Sequence, residues 1–182
     1  MPMPDTVIAI EPGLRLRSWH SDDLDDLLRH ADDAEVVRGL SHRFPHPYTR
    51  ADGEAFLAGQ VVDLRDPVFA IEIHGRACGG IGLRPGQGEC AVGADLGYWL
   101  GRAHWGKGHM TRIVGMFAPW ALREFALERL QATVFDFNAA SACVLEKNGF
   151  AREATLRRAV RKDGQVHDLL MYARLSDCSR ES

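Results

Sequence analysis

The hydrophobic pattern of the first third of the chain predicts one strand and two helices. Leu14–Arg17 alternates apolar and charged residues with the period of two that is typical of a strand. From Leu24 to Ala31 apolar residues recur at helical spacing behind an acidic first turn, and Ser21 precedes them as the candidate cap. Thr49 and the aspartate three residues later have the spacing of a capping box, which predicts a second helix through about residue 62.

The middle of the chain has the pattern of a sheet. Residues 66–73 and 77–83 alternate with a period of two on either side of the turn His74-Gly75, so we expect an antiparallel hairpin. Residues 94–100 place apolar side chains on one face and Asp95 and Trp99 on the other. Three consecutive strands are therefore predicted to form a meander.

The last third of the chain alternates between helix and strand patterns. Residues 113–121 form a helical apolar stripe, and residues 130–135 follow as a strand. Asn138 is the predicted cap of a helix that Gly149 ends. Residues 162–165 then join two terminal strands as a hairpin.

This order of elements predicts an α+β fold, in which a mixed sheet is flanked by helices, rather than a doubly wound fold. A chain of 182 residues has the usual size of one domain, so we expect a single domain over residues 1–182.

Composition and charge exclude several classes of function. The formal net charge is −3 and no run of Lys and Arg exceeds two, so no nucleic-acid partner is expected. Residues 1–5 lack the basic and apolar regions of a signal peptide, and no apolar run reaches the length of about 18 that a spanning helix needs. We therefore expect no membrane association and a cytoplasmic location.

Neither the cysteines nor the histidines have metal-binding spacing. Cys78, Cys90, Cys143 and Cys178 are scattered without a C-x-x-C pair, which favours reduced structural thiols. His42 and His46 are four residues apart, but a proline between them excludes a shared helical face. No metal is assigned from the sequence.

A glycine-bearing loop at residues 105–111 lies between the third meander strand and the apolar helix. The first N–H groups of a helix and its positive dipole end can bind a pyrophosphate, and glycine lets the phosphates approach the backbone. The spacing is neither that of a nucleotide P-loop nor that of a dinucleotide fingerprint. An anion site of another kind is therefore predicted here, although a plain strand-to-helix turn would have the same pattern.

A second block, residues 138–150, reads N-A-A-S-A-C-V-L-E-K-N-G-F. The two blocks together resemble the GNAT superfamily of acyl-CoA-dependent N-acyltransferases, and within it the ribosomal-protein N-terminal alanine and serine acetyltransferases. There the loop commonly reads Y-W-G-K-G-x-A-T and the later block N-x-x-S-x-x-v-l-e-K-x-G-F. The order of elements matches from residue 14 to residue 175.

The resemblance implies a GNAT-like fold whose mixed, mostly antiparallel sheet is splayed at its centre. It also implies acetyl-CoA as the acyl donor, an amine as the acceptor, and compatibility with a homodimer. The residues that it assigns to the coenzyme are Trp99, Leu100, Trp105, Gly106, Lys107, Gly108, His109, Met110, Thr111, Asn138 and Lys147. Trp99 can alternatively be a core residue, and Asn138 can be only a helix cap.

Two positions depart from the family pattern. Met110 replaces the usual small residue of the loop, which puts the affinity for the coenzyme in question. Leu145 stands where many members carry a tyrosine that protonates the leaving thiolate. The resemblance makes Ser141 the candidate proton donor, because the ribosomal-protein branch uses the serine at this position near the thioester. Its hydroxyl can alternatively bond only backbone in the first helical turn. Cys143 follows two residues later on the same helix and is expected to pack inward. A covalent acyl-enzyme is therefore not expected.

Attack by an amine on a thioester needs only a modest base, because the α-amino pKa is near 8. The candidate bases are Asp95, Glu72 and the pair His167-Asp168, each of which can instead be a solvated strand residue. The predicted function is N-acetyltransfer from acyl-CoA to a primary amine by direct attack. The acceptor is a protein N-terminus or a small molecule such as a polyamine, an amino acid or an aminoglycoside. A non-catalytic acyl-CoA sensor and an interaction module are the alternatives.

Overall fold

The computed structural model describes residues 6–177. The expectations for residues 1–5 and for Cys178 lie outside that range. Within it are eight strands, β1 (Ile8–Glu11), β2 (Leu14–Arg17), β3 (Val68–Ile73), β4 (Arg76–Pro85), β5 (Gly93–Leu100), β6 (Arg129–Phe135), β7 (Ala151–Lys162) and β8 (Gln165–Leu175). The five α-helices of these residues are α1 (Leu24–Ala31), α2 (Ala34–Arg38), α3 (Arg50–Leu57), α4 (His109–Glu124) and α5 (Ala139–Lys147).

The strands form one sheet in the order β1-β2-β3-β4-β5-β6-β8-β7. Strands β5 and β6 are parallel, and β2-β3, β3-β4, β6-β8 and β7-β8 are antiparallel. The prediction of a mixed, mostly antiparallel sheet flanked by helices is confirmed. The splay at its centre and the single domain stay predictions.

The chain divides into two compact units. One combines the chain up to Leu83 with Gly97–His109, and the other combines Arg84–Leu96 with the chain from Met110 onward. In the first unit Trp19, Leu27, Tyr48 and Ala70 form part of a buried apolar cluster. In the second unit the predicted stripe of α4 is buried at Ile113, Phe117 and Ala121, whereas Met116 on the same helix is exposed.

Local capping explains where helix α3 begins and ends. The Thr49 hydroxyl accepts the N–H of Asp52, and the Asp52 carboxylate accepts the N–H of Thr49, so the predicted capping box is confirmed. That helix, α3, ends at Leu57 rather than near residue 62, and Gly59 has a left-handed φ of 73° soon after.

The predictions for the first residues of the chain need correction. Ser21 does not cap α1: residues Ser21–Asp23 form a separate 3₁₀ turn with His20 in the cap position, and α1 begins at Leu24. Strand β1 and the short helix α2 were not predicted. Strand β1 reads I-A-I-E, without alternation of apolar and polar residues, and the five residues of α2 are too few to show a helical period.

Among residues 6–177, no helix combines the length and the apolar run that crossing a bilayer requires.

Candidate functional site

The predicted glycine loop is an ordered turn between β5 and α4. A 3₁₀ turn at Arg102–His104 leads into residues 105–108, and α4 begins at His109. Gly106 and Gly108 have φ angles of 72° and 73°, a conformation that side chains of L-residues rarely adopt. An added Cβ at Gly106 would meet no atom within 4 Å, so glycine serves the backbone conformation there and not close packing.

Two side chains hold this loop in place. The Trp105 indole N–H donates to the Leu100 carbonyl over 2.7 Å, and the Lys107 ammonium donates to the Ala103 carbonyl over 2.9 Å. Residues 105–108 are themselves exposed, whereas Leu100 is buried. The loop backbone is therefore exposed to solvent, and two hydrogen bonds fix its position.

The first turn of α4 contains Met110 and Thr111, both half-buried. The first four N–H groups of a helix have no intrahelical acceptor, and they carry the positive end of its dipole. This helix end, directly after the glycine loop, has the chemistry of an anion-binding element.

Trp99 packs in the apolar cluster of the first unit. Its ring meets the Phe44 ring edge-on with centroids 5.4 Å apart. An added Cβ at Gly79 would lie 2.4 Å from the Trp99 carbonyl oxygen, and one at Gly80 would lie 2.8 Å from its Nε1. The glycines of β4 thus let β5 approach closely at Trp99, and packing is one role of this side chain.

Asn138 is the cap of α5, as predicted. Its amide oxygen accepts the N–H of Ser141 over 3.2 Å. Ser141 is half-buried in the first turn of the helix. Lys147 is exposed in the last turn, at the opposite end of a nine-residue helix, which is about 13 Å long. Asn138 and Ser141 therefore lie at one end of α5 and Lys147 at the other.

Asn148, to which the sequence gave no role beyond ending the helix, ties two helices together. Its side-chain NH₂ donates to the carbonyls of Thr111 and Val144 over 3.1 and 2.8 Å. An added Cβ at Gly115 would lie 2.9 Å from the Asn148 amide oxygen, so a side chain there would displace the Asn148 amide. The first turn of α4 is thereby fixed to the end of α5.

Cys143 is exposed on α5, so the expectation that it packs inward is wrong. Residues 143 and 145 lie about 200° apart around a helix, and the buried one is Leu145.

Asp95 belongs to a polar network. Its carboxylate accepts from the Arg84 guanidinium over 2.6 Å and from the Gln131 amide over 2.8 Å. Arg129 extends the network by donating to both Gln131 and Glu153. Both oxygens of the Asp95 carboxylate are therefore engaged by side-chain donors.

Glu72 is buried between two guanidinium groups. The Nε atoms of Arg15 and Arg17 donate to its two oxygens over 2.7 and 2.6 Å, and Arg17 also binds Asp23. The hydrogen bond from Arg15, with that from Arg17, lowers the pKa of Glu72 in spite of the burial that raises it. These contacts suit an ionised structural carboxylate better than a base.

His167 pairs with Asp136 and not with its neighbour Asp168. Its Nδ1 lies 3.0 Å from Asp136 Oδ1, and the other Asp136 oxygen accepts the N–H of Asp168 over 3.0 Å. The Phe137 ring packs edge-on against the imidazole with centroids 4.8 Å apart. The backbone hydrogen bond from Asp168, together with His167, lowers the pKa of Asp136.

A histidine oriented by an ionised carboxylate is a familiar arrangement for a general base. Asp136 was not identified from the sequence as a candidate site residue, although it lies only two residues before Asn138.

The fold of this chain is that of the GNAT acetyltransferases. A GNAT-family acetyltransferase from Bacillus anthracis has a TM-score of 0.81 at 20% identity, covering 93% of this chain and 98% of that one. RimL, a ribosomal L7/L12 alpha-N-protein acetyltransferase in complex with coenzyme A, also has a TM-score of 0.81 at 20% identity, covering 96% of this chain and all of that one. At such identities the likeness establishes the fold alone.

The chain belongs to the GNAT acetyltransferase domain family, whose model matches residues 13–151. A probable N-acetyltransferase of Bacillus subtilis, YjcK, is 40% identical over 83 residues, which are 46% of each chain. The matched segment spans about half the length of the first curated relatives.

Proposed function

We propose that this protein is an N-acetyltransferase that moves an acetyl or short acyl group from acyl-CoA to a primary amine. The observation that carries the proposal is the loop at residues 105–108, whose two left-handed glycines lead directly into α4. Membership of the GNAT family supports the same reaction.

The coenzyme pyrophosphate would accept hydrogen bonds from backbone N–H groups of Gly106, Lys107, Gly108 and His109. The first turn of α4 would add the N–H groups of Met110 and Thr111. A negatively charged pyrophosphate is stabilised there by the helix dipole as well as by hydrogen bonds. Backbone contacts accommodate the Met110 side chain provided that it points away from the phosphates.

The remaining coenzyme contacts follow from the family resemblance. Trp99 and Leu100 would offer strand backbone to the pantetheine arm, and the Asn138 side-chain NH₂ would donate to it while the amide oxygen caps α5. These two roles of Asn138 use different atoms, so they are compatible. Trp105 would keep the start of the loop in position through its hydrogen bond to the Leu100 carbonyl. Lys147 would contribute positive charge toward the coenzyme.

Direct transfer needs one proton acceptor and one weak donor. The amine nitrogen loses a proton, attacks the thioester carbon and forms the C–N bond; the C–S bond then breaks and coenzyme A leaves as a thiol. A thiol pKa of about 8.5 means that the sulfur can leave with only partial protonation. Ser141 is the proposed donor.

Among the candidate bases, the contacts favour His167. Its ring is held by the Asp136 carboxylate, whereas Asp95 and Glu72 are each engaged by guanidinium groups. Histidine is also the side chain that most often serves as a general base in enzymes. Asp95 and Glu72 stay candidates of lower rank.

We infer a protein N-terminus as the acceptor to be tested first. RimL, which shares this fold, is an alpha-N-protein acetyltransferase of ribosomal protein L7/L12. Small amines are the second class of acceptor. The fold also occurs in an acetyltransferase that is not described as acting on ribosomal proteins: MccE, a microcin C7 self-immunity acetyltransferase, has a TM-score of 0.78 at 18% identity.

The deciding experiment measures thiol release from acetyl-CoA with four acceptor classes: peptides with free N-termini, polyamines, amino acids and aminoglycosides. Release above the hydrolysis rate with one class supports the proposal. Tight coenzyme binding without release in any class would instead favour a sensor. No thermal stabilisation by any acyl-CoA would favour an interaction module.

A further inference from the structure

Three side chains from distant parts of the sequence converge in the first unit. His30 lies on α1, Cys78 on β4, and His104 in the turn Arg102–His104. Their ligand atoms all lie within 4.8 Å of one another. The acyl-transfer chemistry proposed above uses none of the three.

We propose that His30, Cys78 and His104 bind a divalent transition-metal ion, with zinc as the best match. One thiolate and two imidazoles form a donor set that suits zinc, and a fourth ligand can be water. In a tetrahedral zinc site the ligand atoms lie about 3.5 Å apart, given metal–ligand bonds of 2.0–2.3 Å. Closing from a spacing of at most 4.8 Å needs movements of about 1 Å.

Backbone hydrogen bonds hold two of the three ligands, Cys78 and His104, near each other independently of any ion. The Gly101 N–H donates to the Cys78 carbonyl over 2.8 Å, and the His104 N–H donates to the Gly101 carbonyl over 2.9 Å. Through Gly101, the turn that carries His104 is therefore fixed to the strand that carries Cys78.

Gly101 also makes room for His30. A Cβ at Gly101 would lie 2.3 Å from His30 Nδ1, closer than real contacts allow. The His30 and His104 rings themselves are 5.3 Å apart between centroids. A glycine at this position is thus a geometric requirement for the three ligands to meet.

The surroundings of the ligands suit a cation. Cys78 is buried, while both imidazoles are half-buried and therefore partly accessible to water and to a small ion. A neutral imidazole is the commonest metal ligand among protein side chains.

A negative charge also acts on the cluster. The Asp26 carboxylate, held by the Arg76 guanidinium over 2.8 Å and by the Ala77 N–H over 3.3 Å, lies close enough to act electrostatically on both His30 and Cys78. Formation of the metal–sulfur bond would release the Cys78 proton to solvent, without any change of oxidation state.

The location suggests what the ion would do. His104 immediately precedes the loop at residues 105–108, so a metal would fasten the base of that loop to α1 and β4. This consequence rests on the proposed function, but the metal site itself does not.

The test is a cobalt titration of the full, tag-free chain after treatment with a chelator. We expect one Co²⁺ per chain, a thiolate-to-cobalt charge-transfer band in the near ultraviolet, and loss of that band on adding one equivalent of Zn²⁺. Cys78→Ser should abolish the band. His104→Gln should weaken zinc binding at least about tenfold in a chelator competition.

The exposed cysteines provide matched controls, since Cys90→Ser and Cys143→Ser should keep the band. A wild-type protein without the band would overturn the proposal, as would a band that survives Cys78→Ser. Circular dichroism checks that each variant is folded. If Cys78→Ser does not fold, unchanged zinc affinity in folded His104→Gln overturns the proposal equally well. None of these readouts depends on acetyl transfer, so failure of either proposal is recognised separately.

Discussion

At the scale of single residues, Gly108 tests the coenzyme site most directly. We predict that acetyl-CoA raises the melting temperature of the protein, because a ligand that binds only the folded state stabilises it. Gly108→Asp should abolish this shift, since it forces a side chain onto a φ of 73° and places a negative charge beside phosphate.

Gly164→Asp is the matched control for that variant. Gly164 also has a left-handed φ, of 78°, with open space around an added Cβ, but it lies in the turn between β7 and β8. It should cost similar stability and keep the coenzyme shift. If acetyl-CoA raises the melting temperature of folded Gly108→Asp as much as that of the wild type, the pyrophosphate does not bind at this loop.

Ser141 is predicted to act on the departing sulfur. Ser141→Ala should lower kcat about tenfold to a hundredfold with little change in the coenzyme Kd, because the interaction strengthens in the transition state. Steady-state rates and calorimetry measure the two quantities. Cys143→Ser, an exposed change on the same helix, should leave both unaltered. A folded Ser141→Ala enzyme with the wild-type kcat would retire the serine as donor.

His167 is predicted to be the base, with Asp136 as its positioning residue. His167→Gln should lower kcat about a hundredfold at pH 7 and less at alkaline pH, because an α-amine with a pKa near 8 then deprotonates unaided. Asp136→Asn should give a smaller loss with a shifted pH profile. His42→Gln, in an exposed loop, is the control. A loss that is independent of pH would argue for a purely structural histidine.

At the scale of elements, the contact between α4 and α5 sets the position of the proposed coenzyme helix. Asn148→Ala removes the donor from the Thr111 and Val144 carbonyls, which should cost about 1–2 kcal/mol of the free energy of unfolding. Because Thr111 belongs to the first turn of α4, coenzyme affinity should also fall. Thermal melts and calorimetry check both, with Cys143→Ala as the exposed control. Unchanged coenzyme affinity would show that α4 keeps its position without the Asn148 hydrogen bonds.

At the scale of the whole molecule, each unit contains a carboxylate that is paired with arginine and should lose this ion pair when acid protonates it. The Arg15 and Arg17 hydrogen bonds lower the pKa of Glu72 in one unit, and the Arg129 hydrogen bond lowers that of Glu153 in the other. A folded pKa below the unfolded value of about 4.3 gives stability that is complete above that value and is lost as the pH falls through the folded pKa.

Unfolding by urea should therefore need less denaturant below about pH 4 than at pH 7. Glu72→Gln should remove part of this dependence and lower stability by about 2 kcal/mol, because it leaves Arg17 buried with one carboxylate fewer. Exposed Glu54→Gln is the control. A pH dependence that is identical in Glu72→Gln and wild type would show that this ion pair has no part in acid sensitivity.

What the sequence determined by itself is the local structure, because caps, turns and side-chain periods act within about four residues. The capping box at Thr49, the Asn138 cap and the hairpin turn before Gln165 are confirmed for that reason. The glycine loop could be identified for the same reason, since left-handed glycines before a helix need no distant partner.

Only the tertiary structure decided which distant side chains meet. Strand register sets Arg15 opposite Glu72, and a carboxylate that reads as a candidate base in the sequence becomes an ion-pair partner. His167 similarly takes Asp136 rather than its neighbour.

The metal-ligand cluster has the same physical origin. His30, Cys78 and His104 come from a helix, a strand and a turn, so no spacing rule could join them. Their meeting depends on the close packing that Gly101 permits, and packing between elements is a property of the whole fold.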